Sequence, residues 1–402
     1  MGSTLQMEVH SSFDTLEPYR EGWDQFLLGQ ASNIYLSFDW CRIWWKSFGK
    51  NLELSVLLFL QNGRIVGILP LLVDPLRLGP FRIRIARLLN SMYTACVLHP
   101  PVSPEFAGEI FSSSLAYLFG EKRCDVLQFG YVADTFRPFD DLVASVESSK
   151  EGLKTWKVEE VFCHAVYPLP ATIEAYSQSL SPKRRRDIFR RMRALEREVG
   201  PIRIEDFTSW EAIQDEYAPF RNLHDKYWNL QGLGGHFVDL PHSEDFNLEL
   251  TRTLAERGEG GVDLQRISAG ETAIGYQFCF RFGDCLHWRV TARQFGEEWG
   301  RLAVGILSLF LLVEDSIQKG IKLIEAGPGH FPYKVTMGAQ ERPMRSAVAV
   351  RRSKTSILKV LGLKMLYLLL QGVYYKFWYR GVCKRLFKKR GPFSLYYLRC
   401  RL

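Results

Sequence analysis

The residues best suited by type and spacing to do chemistry lie between 270 and 340. Gly300-Arg301-Leu302 opens an apolar helical run, 300–320. Amides at a helix start lack partners within the helix and carry partial positive charge, which suits a pyrophosphate; glycine lets the anion come close. The alternative is that Gly300 only opens a core helix. Further on, EAGPGHFPYKVTMG (325–338) follows a strand-like run, 321–325. Gly327 and Gly329 permit backbone angles closed to other residues, and Tyr333-Lys334 supplies a hydroxyl and a cation. Loops leaving strand ends of an α/β sheet commonly line sites, although a Pro-Gly turn with a surface Tyr and Lys explains the same letters. A third feature is a basic helix holding Arg184 and Arg185, with eight Lys and Arg between Lys183 and Arg197 against Asp187 and Glu196. It reads either as a solvated face or as a cradle for an anionic acceptor, such as a nucleotide sugar, a lipid-linked sugar or a carboxylated polysaccharide.

Several chemistries find no support. There is no GxSxG elbow, no phosphate-binding GxxxxGK[ST] loop and no GxGxxG fingerprint. HExxH, HxH and CxxC pairs are missing too, so no metal site is expected. Eight scattered cysteines point to a reducing compartment rather than a disulfide scaffold. No leader-like apolar stretch opens the chain, and no run of 18 apolar residues suggests a membrane span.

The elements that must position these residues alternate between strand and helix. Helical spacing covers 15–30, and 38–48 (FDWCRIWWKSF) forms a second helix with Ser37 as its N-cap. Asn62-Gly63 joins two apolar runs within 52–74, the strongest short hairpin signal. A polar, unpatterned stretch at 145–160 marks a domain boundary. Ser181-Pro182 caps the basic helix, Gly200-Pro201 ends it, and 202–207 is a strand. Helices at 209–228 and 242–257 flank the turn QGLGGHF, and hairpin-like strands follow at 262–290. FLQNGRIVGILPL in the first half echoes RISAGETAIGYQF in the second. Both read as strand, glycine turn, strand, which suggests two copies of one α/β module.

From Gly270 to Gly338 the chain resembles GNAT-like acyltransferases of the CelD/BcsL type, relatives of the FemAB aminoacyltransferases. The resemblance is carried by Ile274-Gly275-Tyr276-Gln277, Gly283-Asp284, Gly300-Arg301-Leu302 and Gly327-x-Gly329-x-x-x-Tyr333-Lys334. Upstream, Phe38-Asp39-Trp40, Trp44-Trp45 and Gly63-x-x-Val66-Gly67-Ile68-x-Pro70 fit as well, so it extends diffusely over 10–350. It implies an α/β (α+β) fold of two tandem GNAT-like modules, each a mixed sheet flanked by helices, over 1–160 and 161–350. It also implies acyl transfer from acyl-CoA, with acetyl-CoA first, to an amino sugar or another polysaccharide or envelope precursor. Carried over, Gly300, Arg301 and Leu302 meet the donor phosphates, while Tyr276 and Gln277 sit on the central strand beside the thioester. Tyr333 and Lys334 lie near donor or acceptor, and Arg184, Arg185, Gly327 and Gly329 contact substrate. Two departures stand out. Glu297-Glu298-Trp299 precedes Gly300 where relatives carry Ser-Pro, and Glu325-Ala326 replaces Asp-Phe; Glu325 is the carboxylate best placed for base work. Two other readings remain open: a FemAB-like aminoacyltransferase using aminoacyl-tRNA, and a non-catalytic scaffold of a polysaccharide-export complex.

The last segment, 351–402, holds 14 Lys and Arg and no acid, although the whole chain nets only +8. Its apolar run 356–379 ends in clustered aromatics. That pattern suits a helix lying on an anionic membrane surface, peripheral to the inner face of the cytoplasmic membrane; packing on the body is the other reading.

Overall fold

A computed structural model describes residues 5–79, 81–93, 96–232, 235–237, 242–258 and 261–387, with 395, 398 and 401. Residues 233–234 of the glycine-rich turn and 388–390 of the basic run lie outside the described residues. The chain forms two units. The first takes residues up to 162 together with 343–387, and the second takes 163–342. Segment 343–387, which the sequence divides between the second module and a tail, packs with the first unit for a clear reason. Its strand finds its ladder partner there.

In the first unit, β1 (Gln6–His10), β2 (Glu53–Gln61), β3 (Arg64–Leu78) and β4 (Phe81–Leu88) form an antiparallel meander. β4 then pairs in parallel with β5 (Val126–Ala133). The long β6 (Leu153–Pro168) closes this stretch of chain and carries it into the second unit. Helices α1 (Arg20–Gly29) and α2 (Phe38–Phe48) lie between β1 and β2, α3 (Ala107–Ala116) between β4 and β5, and α4 (Phe139–Glu147) before β6. Trp23, Trp40 and Trp44 are fully buried, which fixes the apolar face of α1 and α2. Ser37 does sit at the cap of α2, but the Phe38 N–H is held at 2.9 Å by Asp24 Oδ1 rather than by its hydroxyl.

The second unit repeats the plan. After α5 (Ile173–Ser179) and α6 (Pro182–Glu198) come β7 (Ile202–Phe207), α7 (Trp210–Leu230) and α8 (Ser243–Glu256). Strands β8 (Val262–Ala269), β9 (Thr272–Phe282) and β10 (Cys285–Arg293) then complete an antiparallel meander with β7. Two helices follow, α9 (Glu297–Leu302) and α10 (Val304–Gln318), before β11 (Leu323–Pro328) pairs in parallel with β10. Residues 164–168 of β6 lie antiparallel to β11. After α11 (Pro332–Thr336), β12 (Gln340–Arg351) supplies the strand antiparallel to β5.

The order is thus the same twice: four antiparallel strands, a parallel fifth, an antiparallel sixth. The sequence echo has a matching physical basis. Asn62 and Gly63 both take positive φ (53° and 72°), as the tight hairpin requires, and Gly270 does so at 55°. The second glycine of each pair marks a close helix approach. A Cβ on Gly67 would fall 2.6 Å from Ile110 of α3, and one on Gly275 would fall 2.9 Å from Ser308 of α10.

The expected single helix over 300–320 is broken. Ala303 takes a left-handed conformation (φ 53°), ends α9 and opens α10. The loop 325–338 is also less open than expected, because Pro332–Thr336 winds into a helical turn. Helix α12 (Lys354–Leu369) continues through a π-wound segment to Cys383. This makes one 30-residue helix of membrane-crossing length and apolarity, although lysines break its sequence into shorter apolar runs.

Candidate active site

The second unit contains a split in its sheet. β10 and β11 are paired only at Cys285–Leu323, Leu286–Ile324 and His287–Glu325. Beyond that, β10 has a register shift between Trp288 and Val290 against β9, and β11 turns off at Gly327 (φ 79°) and Gly329 (φ 109°). Two parallel strands that separate after three residues leave backbone edges facing a gap.

Lys334 bridges the strands just past their last pair. Its ammonium donates to the Ala326 carbonyl on β11 and lies 5.5 Å from the Trp288 ring centre on β10 and 4.5 Å from that of Phe331. The side chain is buried, and burial lowers its pKa to about 8 although Glu325 and Cys163 pull the other way. Gln277, also buried, accepts a 2.7 Å hydrogen bond from the Trp288 indole N–H and so fixes the ring beneath the lysine. Its backbone places it on the α10 side of β9, as Gly275 is.

Tyr276 faces the other way, because neighbours on a strand alternate. Its hydroxyl donates to Glu216 of α7 at 3.0 Å, its ring packs 6.0 Å from that of Phe220, and Arg266 shares the carboxylate. Burial, then Glu216, raises its pKa well above the usual tyrosine range. Tyr276 and Gln277, expected together beside the thioester, therefore lie on opposite faces, and Gln277 is the one that joins Lys334.

Glu325 stands at the apex of the split, between two histidines, His164 and His287, that no local motif singles out. His164 Nδ1 and His287 Nδ1 each lie 3.8 Å from one of its oxygens. Oε1 also accepts the Gly327 N–H at 2.8 Å. Burial works against its ionisation, yet the histidines hold the carboxyl well below the usual carboxylate range. His287 is correspondingly held protonated: burial lowers its affinity for a proton, but Cys285 and Glu325 push it up to about 10. Through the Gly327 N–H the Glu325 carboxylate ties down the start of the loop that carries Lys334. Only the register of three neighbouring strands brings His164, His287 and Glu325 together, so spacing could not reveal the group.

Gly300 does not present a free amide. Its N–H donates to the Gly296 carbonyl at 2.9 Å inside the short α9. Arg301 is exposed and ion-paired to Glu198 of α6, and Leu302 is buried. The orphan amides of the long helix belong instead to Val304 and Gly305. There Arg293, at the end of β10, comes so close that a Cβ on Gly305 would fall 2.8 Å from its side chain. The guanidinium lies 5.1 Å over the Tyr227 ring and acts electrostatically on Tyr333, whose pKa burial raises and Arg293 lowers. The break at Ala303 also leaves Glu297 and Glu298 in the first turn of α9, not of α10.

The remaining candidates frame the loop. Arg184 Nη2 donates to Thr336 Oγ1 at 2.9 Å, and Arg185 follows it in the first turn of α6 with its N–H on the Ser181 carbonyl. Gly329 donates to the Cys163 carbonyl at 2.7 Å, and Phe331 leaves no room there for a Cβ. Tyr333 is part-exposed, with its ring 5.9 Å from that of Phe331. An acidic trio, Asp206, Asp263 and Asp315, would be a candidate for a cation, but the Lys319 ammonium sits among all three at 2.8, 3.1 and 2.6 Å.

The first unit fills the equivalent places differently. At the third parallel pair, Arg87 and Gln128 stand where His287 and Glu325 stand, joined by a 2.7 Å hydrogen bond. The approach to its α3 carries Glu105 and Glu109. These carboxylates disfavour an anionic carrier.

Residues 182–335 match the family model of an acetyltransferase (GNAT) domain. The fold resembles that of FemX, with a TM-score of 0.57 at 8% identity over 85% of this chain and 96% of that one. It also resembles a conserved protein of unknown function from Bacteroides thetaiotaomicron VPI-5482, with a TM-score of 0.53 at 10% identity over 86% and 100% of the two chains. At such identities the likeness is one of fold. Comparison with curated protein sequences gives no match. The matched segment holds Gln277, Trp288, Arg293, Glu325 and Lys334, and the chain is an acyltransferase.

Proposed function

We propose that this acyltransferase, of the CelD/BcsL type by the order of its motifs, takes an acyl group from acyl-CoA and passes it to an amine. Acetyl-CoA is the first choice of donor, and an amino sugar or related polysaccharide or envelope precursor is the acceptor class. One observation carries the reading: a buried, acidified lysine bridges β10 and β11 where the two strands part.

The acceptor nitrogen attacks the thioester carbonyl, a C–N bond forms, and the C–S bond breaks as the tetrahedral intermediate collapses. Backbone N–H groups along β10 past the last β11 pair suit the oxyanion. With a pKa of about 8, Lys334 is about one-tenth neutral at pH 7. In that form it accepts the proton that the attacking amine must lose, then returns it to the departing thiolate. The amides of Val304 and Gly305 with Arg293 suit the donor pyrophosphate. Gln277 and Glu325 act through Trp288 and the 325–338 loop as positioning residues.

A second reading, transfer from aminoacyl-tRNA, draws on α6. Arg186, Arg190, Arg193 and Arg197 are exposed there beside the exposed ring of Phe189, a basic face with a stacking surface. The full chain, incubated with acetyl-CoA and a panel of amino sugars, should release free thiol, and Lys334→Met should abolish the release. Absence of saturable acyl-CoA binding together with binding of aminoacyl-tRNA would replace the first reading by the second.

A further inference from the structure

The 30-residue helix Lys354–Cys383 is apolar on two sides. One side is committed to the first unit. Val360 and Leu363 are buried against Leu76, Ile83, Ile85, Val126 and Val350. Lys359 pairs with Asp125 at 2.8 Å, and Ser353 caps the helix start at 3.1 Å. This side anchors the first turns of the helix along the protein, where they are unavailable to lipid.

The other side carries Leu358, Leu361, Met365, Leu368 and Leu369, recurring at three- and four-residue intervals, all exposed; Leu358 is 67% exposed. Beyond Leu369 the winding changes to π, and Val373, Phe377 and Trp378 continue the stripe at the wider spacing such winding needs, with Phe377 again 67% exposed. A stripe this long costs free energy in water: about 25 cal/mol for each Å² of apolar surface left wet. Exposed Lys354, Lys364, Lys376, Arg380 and Arg385 accompany it, and no acid occurs from 351 to 402.

We infer that this face is a docking surface for an anionic membrane, on which the helix lies in the plane of the headgroups with its leucines and Phe377–Trp378 inserted. The charge selects a lipid surface over a second copy of the chain. Two copies of a uniformly cationic helix repel face to face, whereas anionic headgroups satisfy each cation.

The test is flotation of the full-length chain with vesicles of phosphatidylcholine alone or with 30% phosphatidylglycerol (about one anionic lipid in three). The protein floats with the anionic vesicles and is released by salt. Leu361→Gln/Met365→Gln/Leu369→Gln, changes confined to exposed positions, reduces flotation about tenfold or more. Lys364→Glu/Lys376→Glu/Arg380→Glu weakens binding at low salt by about fivefold or more per site. Circular dichroism confirms that both variants stay folded. Failure of the wild-type chain to float with either vesicle overturns the inference. So does a dimer in sedimentation velocity that the glutamine variant dissociates, since the face would then be a protein interface.

Discussion

Replacing Lys334 by methionine separates the burial of a charge from its chemical use. Methionine keeps most of the buried stem and loses the ammonium. In the fold the lysine titrates at about 8, against about 10.4 in an unfolded chain. Below pH 8 both states are protonated, and the native state bears the full cost of a buried charge, about 3 kcal/mol. Between pH 8 and 10.4 the unfolded chain holds the proton and the native protein does not, so stability rises with pH through that window. Above it the cost has vanished. Wild-type stability relative to Lys334→Met should therefore increase by about 2 kcal/mol between pH 7 and 9.5, with the methionine variant the more stable at pH 7. The bond to the Ala326 carbonyl and the ring contacts offset part of that advantage, but they do not change the slope. Urea unfolding of both proteins at the two pH values measures it. A general-base role adds a kinetic signature: kcat/KM rises with pH and levels off above about 8, and the variant loses activity despite its stability. If the stability difference is the same at both pH values, the lysine is solvated and the argument from burial fails. If it shifts as expected but activity survives in the variant, burial stands and the base is another group.

Arg293→Ala should raise KM for acyl-CoA about tenfold with kcat little changed, whereas Arg301→Ala, an exposed residue paired to Glu198, should stay within about twofold; steady-state kinetics distinguishes them. Gly275→Val pushes a side chain onto Ser308 and should cost about 1–3 kcal/mol in denaturant unfolding. Gln277→Leu leaves the Trp288 indole N–H without its acceptor and should cost about 1–3 kcal/mol, with a change in tryptophan fluorescence as the ring moves. Lys319→Met removes the cation among three aspartates. Asp263, already raised to about 6 chiefly by burial, should then titrate higher, so the variant should regain stability as pH falls from about 7 to 4, which thermal unfolding across that range would report.

Much of this architecture was legible because it depends on local chemistry. The Asn62-Gly63 hairpin, the Ser181-Pro182 start of α6 and the strand 202–207 follow from turn, cap and alternation rules that act within a few residues. The repeat was visible for a similar reason: Gly67 and Gly275 each recur where a helix presses on a strand, and a side chain at either place would have to displace Ile110 or Ser308. What escaped the sequence depends on partners far along the chain. Ala303, an ordinary helix former, takes a left-handed conformation between α9 and α10, and this moves the expected phosphate-facing amides from Gly300 to Val304 and Gly305. Strand alternation sends Tyr276 and Gln277 to opposite faces, a consequence that adjacent letters in a motif conceal. His164, His287 and Glu325 come from β6, β10 and β11, and their meeting is decided by strand order and register.

The sequence by itself determined which short segments turn, cap and alternate, and that two similar modules with an acid-free, apolar end were present. Tertiary structure alone decided which side chains share a buried space. Desolvation and charge pairing there acidify Lys334 and hold the Glu325 carboxylate ionised, effects that depend on distance through space and burial rather than on separation along the chain.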